Sequence, residues 1–340
     1  MEDRLRAWVE ALCSEQCAGR LAGSPEGAAA RAIIADGLRG LGLEPAAQPV
    51  PEVGGENLMA RVGSGGGRVV LVGAHHDHLG RSPDGDAYWG ADDNAAAVAL
   101  LLELGRALAA DPPAGGDVLL VAFDAEEPPW FILGSSTFVE TPPIPLARVE
   151  LMIALDLVGH AVGPPEAPPV VRETLLALGA EKSGGTAAVV DAAAAGLARV
   201  QVRRAGIDTI PPLSDYEPFR AAGVPFLFLT CGRWRHYHRV TDTPDRLDYE
   251  KLAATTRFVE RLCHGALARP ERPRYDPGGR DDGATIATLV ALLEPLAPAI
   301  PRARAALARL ERIAVSGGRC APEDWQTVLD FIAMLEAGLA

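Results

Sequence analysis

Histidine, aspartate and glutamate side chains follow several short apolar runs of this 340-residue sequence. Imidazole nitrogens and carboxylate oxygens are the usual ligands of catalytic metal ions, so these residue types could form a metal site. Each group stands at the end of a predicted strand or the start of a predicted helix. Because ligands gather at the carboxyl ends of strands in open α/β sheets, we expect the groups to converge on one crevice. They are residues 75–78, 92–94, 124–127, 156 and 237–243.

Each group taken alone has a simpler interpretation. Asp92 or Asp93, at the start of a helix, would usually cap its N-terminus. A pair of glutamates after a strand is usually a solvated loop, and His238 alone would be a surface histidine. Asp156 differs, because a carboxylate directly after the apolar run 153–155 is expected to be buried and to need a partner. The combination of five groups in this order therefore favours a metal site.

The elements that must position these residues alternate between strands and helices. Residues 57–62 and 68–72 predict two strands joined by a glycine turn around residues 64–67. Short apolar runs without polar alternation predict strands that are covered on both faces, at 69–72, 118–123, 151–155 and 224–229. Helical spacing and capping residues predict helices at 2–13, 24–42, 94–109, 170–178, 215–222 and 249–267. This order predicts an α/β fold, a three-layer sandwich whose central mixed, mostly parallel sheet has helices on both faces.

The C-terminal part of the chain differs in composition. Residues 269–283 are rich in proline, glycine and charge and predict a linker, and residues 284–340 predict a helical C-terminal extension. Fewer than ~60 residues do not easily form a core of their own. We therefore expect the extension to pack on the main domain, residues 1–268, or on a partner subunit. This predicts that the C-terminal helices either mediate self-association or cap the active-site cleft.

Composition excludes several classes of protein. The chain has 32 Lys and Arg against 45 Asp and Glu, a formal charge of −13, which argues against nucleic acid or an anionic membrane as a partner. Its five cysteines are scattered and odd in number, which argues against a disulfide scaffold. The sequence contains no apolar stretch of ~20 residues and no signal-peptide core at its N-terminus. These features predict a soluble, cytoplasmic protein.

Taken together, the motifs resemble those of the zinc-dependent aminopeptidase family. These di-zinc exopeptidases include bacterial leucine aminopeptidases, with glutamate carboxypeptidase II and glutaminyl cyclase as relatives. The resemblance covers roughly residues 5–268 and does not include the C-terminal extension. It rests on His75-x-Asp77, Gly90-Ala91-Asp92-Asp93-Asn94, Ala125-Glu126-Glu127, Leu155-Asp156 and Tyr237-His238-x-x-x-Asp242-Thr243.

The resemblance implies two zinc ions per chain, with other divalent metals as alternatives. By similarity, Asp93 bridges the two ions, and it is preferred over its neighbour Asp92. The resemblance assigns His75 and Asp156 to one ion, and Glu127 and His238 to the other. Each ion then has one imidazole nitrogen and carboxylate oxygens, and keeps a position for water.

The resemblance also implies the catalytic residues of the main domain. Glu126 is expected to act as the general base, which takes a proton from the bridging water and passes it to the leaving amine. Asp77 is expected to lie behind His75 and fix its tautomer. His76 and His78 lack an aspartate two residues later, and we expect both to line the rim of the site.

Two departures from the family pattern concern the substrate pocket. The loop after Glu127 is longer and more apolar than usual, and Trp130 and Phe131 would either form an apolar wall of the pocket or pack under a neighbouring loop. The family often has Ser-Asp-His before the late strand, whereas this chain has Tyr216 in place of the histidine. The Tyr216 hydroxyl would then donate a hydrogen bond to a substrate oxygen.

These inferences predict a metallo-exopeptidase that hydrolyses a peptide or amide bond, most simply an aminopeptidase on short peptides. A carboxypeptidase, a dipeptidase or an N-acyl amidohydrolase would use the same water and the same metal site. A glutaminyl cyclase works with one zinc ion, and the full set of five ligands argues against it. A non-catalytic receptor on this fold would be expected to have lost ligands, and none is missing here.

Overall fold

The computed structural model describes residues 1–63 and 67–339 of the chain. Eight strands lie within these residues: β1 (Ala46–Val50), β2 (Gly55–Val62), β3 (Arg68–His75), β4 (Gly116–Phe123), β5 (Val149–Leu155), β6 (Thr174–Leu178), β7 (Gln201–Ala205) and β8 (Phe226–Thr230). They form one mixed sheet in the order β1-β2-β4-β3-β5-β8-β6-β7. The central strands β4, β3, β5 and β8 are parallel, and the pairs β1–β2, β2–β4 and β6–β8 are antiparallel. The predicted mixed sheet is confirmed.

Helices cover both faces of this sheet. Within the described residues they are α1 (Glu2–Leu12), α2 (Pro25–Gly40), α3 (Ala96–Ala110), α4 (Leu133–Glu140), α5 (Pro169–Arg172), α6 (Thr186–Ala194), α7 (Tyr216–Ala221), α8 (Tyr249–Leu267), α9 (Asp282–Leu293), α10 (Pro301–Leu310) and α11 (Pro322–Leu339). Ser24 caps α2 as predicted, because its hydroxyl accepts the Gly27 N–H at 3.0 Å. Among the described helices, none combines the length and the apolar character that crossing a membrane requires.

The apolar core is divided into two by the sheet, which gives the predicted three layers. Successive side chains of a strand point to opposite faces, so a buried strand contributes to both cores. Val70 and Val72 of β3 belong to the larger core, with residues of α1, α3 and α8. Val69 of the same strand belongs to the smaller core, with Phe138 of α4 and Phe219 of α7.

The structure corrects the helix predicted at 170–178. A short helix, α5, ends at Arg172, and Thr174–Leu178 is the strand β6, paired with β7 and β8. Leucine and alanine favour helices by less than a kcal/mol per residue, so ladder hydrogen bonds and burial between two strands outweigh that preference. The short strands β1 and β7 were not predicted either. The predicted glycine turn between β2 and β3 falls on residues 64–66, which lie outside the described residues.

The C-terminal helices pack on the main domain. Leu289 and Leu293 of α9, Leu310 of α10 and Val328 of α11 belong to the same apolar core as α8. The segment before α9 is also attached, since Lys182 donates hydrogen bonds to two of its carbonyl groups at 3.2 and 3.0 Å. The extension therefore packs on the main domain, which was one of the two expected arrangements.

Candidate metal centre

The carboxyl ends of three neighbouring parallel strands bring most of the candidate ligands together. His75 is the last residue of β3, Glu126 and Glu127 follow β4, and Asp156 follows β5. Because β4, β3 and β5 are adjacent in the sheet, these side chains meet above one edge. His238 reaches the same place from the loop between β8 and α8.

Asp93 lies at the centre of this cluster. Its Oδ1 is 3.4 Å from His75 Nε2 and its Oδ2 is 3.3 Å from His238 Nε2. Asp93 belongs to a distorted turn, Ala91–Ala95, in which it has non-helical backbone angles just before α3. The buried carboxylate of Asp242 holds this turn, because it accepts the backbone N–H groups of Asp92 and Asp93 at 3.0 and 3.1 Å.

The remaining ligand atoms divide into two groups around Asp93. His75 Nε2 is 3.6 Å from Asp156 Oδ1, and His238 Nε2 is 3.2 Å from Glu127 Oε2. Four facing atoms are buried without a hydrogen-bond partner: His75 Nε2, Asp93 Oδ2, Asp156 Oδ1 and His238 Nε2. Ligand atoms about 2.1 Å from a tetrahedral metal lie about 3.4 Å from one another, so these separations fit a bound cation. A bound cation would also satisfy polar atoms that are otherwise costly to bury.

Asp77 supports the two glutamates more directly than it supports His75. Its Oδ1 and Oδ2 accept the backbone N–H groups of Glu126 and Glu127 at 3.0 and 3.1 Å. The Asp77 carboxylate lies 3.6 Å from His75 Nδ1, which is beyond a hydrogen bond. Burial alone raises the pKa of Asp77, but the neighbouring His75 and the Glu126 N–H outweigh burial, and the pKa is lowered.

Glu126 combines a position beside the ligand cluster with an altered acidity. Its Oε2 lies 3.9 Å from His75 Nε2. Burial is the main reason that its pKa is raised well above the ordinary value; His75 opposes this, and the neighbouring Asp156 and Asp215 carboxylates add to it. A raised pKa means that the carboxylate binds a proton more tightly, which favours the role of a general base.

A comparison with known proteins identifies the family. Residues 57–263 match the description Peptidase family M28. The chain belongs to peptidase family M28. This assignment confirms the sequence-based prediction of an enzyme of the zinc peptidase type, and the motifs that carried the prediction lie within the matched residues.

Several known proteins are similar to this chain in sequence or in fold. The uncharacterized protein YfbL of Escherichia coli (strain K12) is 32% identical over 249 residues, 66% of this chain and 76% of that protein. Aminopeptidase YwaD of Bacillus subtilis (strain 168) is 26% identical over 219 residues, 61% of this chain but only 43% of that protein. A Zn-dependent exopeptidase from Parabacteroides distasonis shares the fold, with a TM-score of 0.64, 20% identity and coverage of 78% and 98% of the two chains. Glutaminyl cyclases are also among the solved structures of similar fold.

The expectation that His76 and His78 line the rim of the M28 site is wrong, because both are buried. His78 Nδ1 lies 2.8 Å from Glu127 Oε1 and 4.0 Å from Asp93 Oδ2, so His78, Asp93 and Glu127 form a second group of side chains that could hold a metal ion. His76 points elsewhere, with its Nε2 3.3 Å from the Glu56 carbonyl oxygen. Three histidines within four residues were the available signal, but their spacing does not indicate which of them contacts a glutamate 49 positions away.

Arg20 is a supporting residue whose role the sequence did not indicate. Its guanidinium is buried and donates to carbonyl groups on three segments around the site. The accepting residues are Leu12, His76, Trp89 and Gly90, at 3.1, 3.0, 2.7 and 2.9 Å. These hydrogen bonds tie the segment after α1 to the residue that follows His75 and to the residues that precede the Asp93 turn.

The structure separates the three residues that were predicted to bind substrate. The Tyr216 ring lines a cavity that reaches Asp156, while its hydroxyl donates to the Pro211 carbonyl at 3.3 Å. Trp130 and Phe131 are 42% and 58% exposed on the loop after Glu127, and neither lines that cavity. Their contact with substrate stays a prediction.

Proposed function

We propose that this M28 peptidase is an aminopeptidase that removes N-terminal residues from short peptides with a site for two zinc ions. The observation that carries the proposal is the placement of Asp93, whose two oxygens face different histidines, His75 and His238, at 3.4 and 3.3 Å. One carboxylate oxygen directed to each half of a site is the arrangement that a bridging ligand requires. Asp156 and Glu127 would complete the two halves.

The donor set supports zinc as the metal. Each half offers one imidazole nitrogen and carboxylate oxygens, which is ordinary coordination for zinc. When bound there, the ions would acidify a shared water and polarise the scissile carbonyl group. Metal analysis of the purified protein distinguishes zinc from other divalent metals.

The chain's own residues would manage the protons of the reaction. The Glu126 carboxylate would accept a proton from the attacking water and transfer it to the leaving amine. Asp77 would hold Glu126 in place through the Glu126 N–H. Burial of Glu126 serves this exchange, because it brings the affinity of the carboxylate for a proton closer to that of the groups with which it exchanges.

Charge near the site favours a free amino terminus over a C-terminal carboxylate as the recognised end of the substrate. Among the described residues that line the adjoining cavity, Arg233 is the only arginine or lysine. Glu336 pairs with Arg233 at 3.0 Å, so a substrate carboxylate would find no free cationic partner there. The resemblance to the aminopeptidase YwaD supports the same choice.

A substrate screen on the full chain tests the proposal. We expect aminoacyl anilides to be hydrolysed, N-blocked dipeptides to be resistant, and about two zinc ions to copurify with each chain. Hydrolysis of N-blocked dipeptides instead would favour a carboxypeptidase or an amidohydrolase. Release of ammonia from peptides with N-terminal glutamine, without shortening, would favour a cyclase.

Two further expectations stay predictions. Self-association through the C-terminal helices is tested by measuring the mass of the full chain in solution. Truncation is a poor test, because Leu289, Leu310 and Val328 contribute to the main core. The predicted cytoplasmic location is tested by fractionating cells that express the protein.

A further inference from the structure

A cavity of about 240 Å³ lies between the metal-ligand cluster and the C-terminal helices. Asp156 and Ser214 line it on one side, and the Ser214 hydroxyl donates to the Asp156 carboxylate at 3.2 Å. Leucines of β6 and Phe228 of β8 line its floor. The opposite side is formed by α9 and α11, which lie outside the residues matched by family M28.

We propose that α9 and α11 form one wall of the pocket for the side chain of the substrate's N-terminal residue, and that this wall selects large apolar side chains. The inference rests on the proposed aminopeptidase activity and adds a substrate class to it. The cavity adjoins Asp156, a predicted ligand of the metal site, so a side chain in it would belong to the residue next to the scissile bond. The helices contribute mainly apolar side chains: Leu289, Leu292, Ile332 and Leu335.

The size and lining of the cavity support this substrate class. An apolar cavity of about 150 Å³ is large enough for a benzene ring. A cavity of about 240 Å³ therefore has room for the side chain of leucine, methionine or phenylalanine. An alanine side chain would leave most of this apolar space without a partner, so the contacts that it would make are fewer.

Helix α9 is attached to the sheet by several polar contacts. Asp281 caps it by accepting the Ala284 N–H at 3.0 Å and also pairs with Arg204 of β7 at 2.9 Å. Thr288 donates to the Arg204 carbonyl at 2.6 Å, and Thr285 accepts the Gly206 N–H at 2.9 Å. These contacts attach α9 to the outermost strand of the sheet and its following loop.

Helix α11 is attached to the active-site side of the cavity by charge. Glu336 pairs with Arg233, which follows β8 and lines the cavity. Tyr237, which also lines the cavity, stacks on the candidate ligand His238 with ring centroids 3.8 Å apart. The same side of the cavity therefore contacts the metal ligands and the C-terminal helix.

Substitution of Ile332 tests the wall. Ile332→Trp should fill the cavity, and we expect the ratio of kcat/KM for leucyl over alanyl anilides to fall about 10-fold or more. Ala333→Trp is the matched control, because residue 333 is exposed on the same helix and does not line the cavity. An unchanged leucyl-to-alanyl ratio in folded Ile332→Trp would overturn the inference.

Leu292→Ala provides a second, independent variant should the tryptophan prevent folding. It enlarges the pocket from α9, and we expect the ratio of kcat/KM for naphthylalanyl over leucyl anilides to rise several-fold. An unchanged ratio in this variant would likewise count against the wall. Thermal unfolding of each variant identifies a general loss of stability, which would lower all rates alike and leave the ratios unchanged.

A binding measurement separates failure of this inference from failure of the proposed function. If the wild-type chain hydrolyses no aminoacyl anilide, the aminopeptidase proposal fails and calorimetry with free L-leucine and L-phenylalanine is used in place of the rate ratios. Binding to the wild-type protein that is lost in Ile332→Trp and kept in Ala333→Trp supports the pocket. Absence of binding, or equal binding to both variants, overturns it.

Discussion

Arg233 Nε lies 3.0 Å from Glu336 Oε1, and this ion pair joins the loop after β8 to the last helix. The side chains are 48% and 47% exposed, so water screens the pair. Exposed ion pairs typically contribute about 0.2–1 kcal/mol to the free energy of unfolding. The pair therefore adds little to overall stability, but it connects α11 to a residue that lines the cavity.

Reversal of this charge pair should weaken substrate binding more than it lowers stability. We expect Glu336→Arg to raise KM for leucyl anilide several-fold through repulsion of Arg233, with a change of at most about 1 kcal/mol in the free energy of unfolding. The double variant Arg233→Glu with Glu336→Arg should recover part of that loss. Steady-state kinetics and urea unfolding measure both effects, and a double variant no better than the worse single one would contradict the pairing.

Removal of the proposed general base should abolish turnover while keeping the metal. Glu126→Gln keeps the size of the side chain but loses its basicity, so kcat should fall by about 10²–10⁴-fold. Metal content, measured by elemental analysis, should equal that of the wild type. Glu140→Gln, an exposed position at the end of α4, is the control. Full activity in Glu126→Gln would show that another group is the base.

The neighbours Asp92 and Asp93 provide a matched test of the bridging ligand. Asp93→Asn should reduce bound zinc in both halves of the site, because each Asp93 oxygen faces a different histidine. The Asp92 carboxylate has other partners than the two histidines. It accepts the Gly159 N–H and lies 2.6 Å from His160 Nδ1. Asp92→Asn should therefore keep its zinc and instead lose about 1–3 kcal/mol of folding free energy. Equal zinc loss in both variants would contradict the assignment.

His78 should affect the metal through its contact with Glu127. Because His78 orients Glu127, His78→Ala should weaken zinc binding in that half of the site by about 10–100-fold. A competition titration with a chromogenic chelator measures this affinity without any substrate. His76→Ala removes a neighbouring buried histidine that contacts Glu56 and leaves Glu127 unaffected. Two variants with the same zinc affinity would remove the proposed role of His78.

Arg20 should matter mainly for stability. Arg20→Met would leave several buried carbonyl groups without a donor, and we expect a loss of about 3–5 kcal/mol in the free energy of unfolding measured by urea titration. Arg39→Met, at an exposed position of α2, should change stability by less than about 0.5 kcal/mol. A similar small change in Arg20→Met would contradict the role of its hydrogen bonds.

Local sequence was sufficient for the elements that end at the site. Short apolar runs predicted β3, β4, β5 and β8, and the polar residues directly after three of them stand at the site. The local sequence pattern predicted a helix that includes Thr174–Leu178, but this segment is the strand β6. The partners β7 and β8, whose pairing decides the conformation of that segment, are separated from it in sequence.

The sequence by itself therefore determined the family, the α/β class and the residue types at the strand ends, because these follow from motifs and from periodicity within short segments. Only the tertiary structure decided that the two oxygens of Asp93 face different histidines, and that His78 contacts Glu127. It also decided that the C-terminal helices adjoin the cavity beside Asp156. Each of these relationships joins segments far apart in the chain, and depends on the order of strands in the sheet and on how helices pack at its ends.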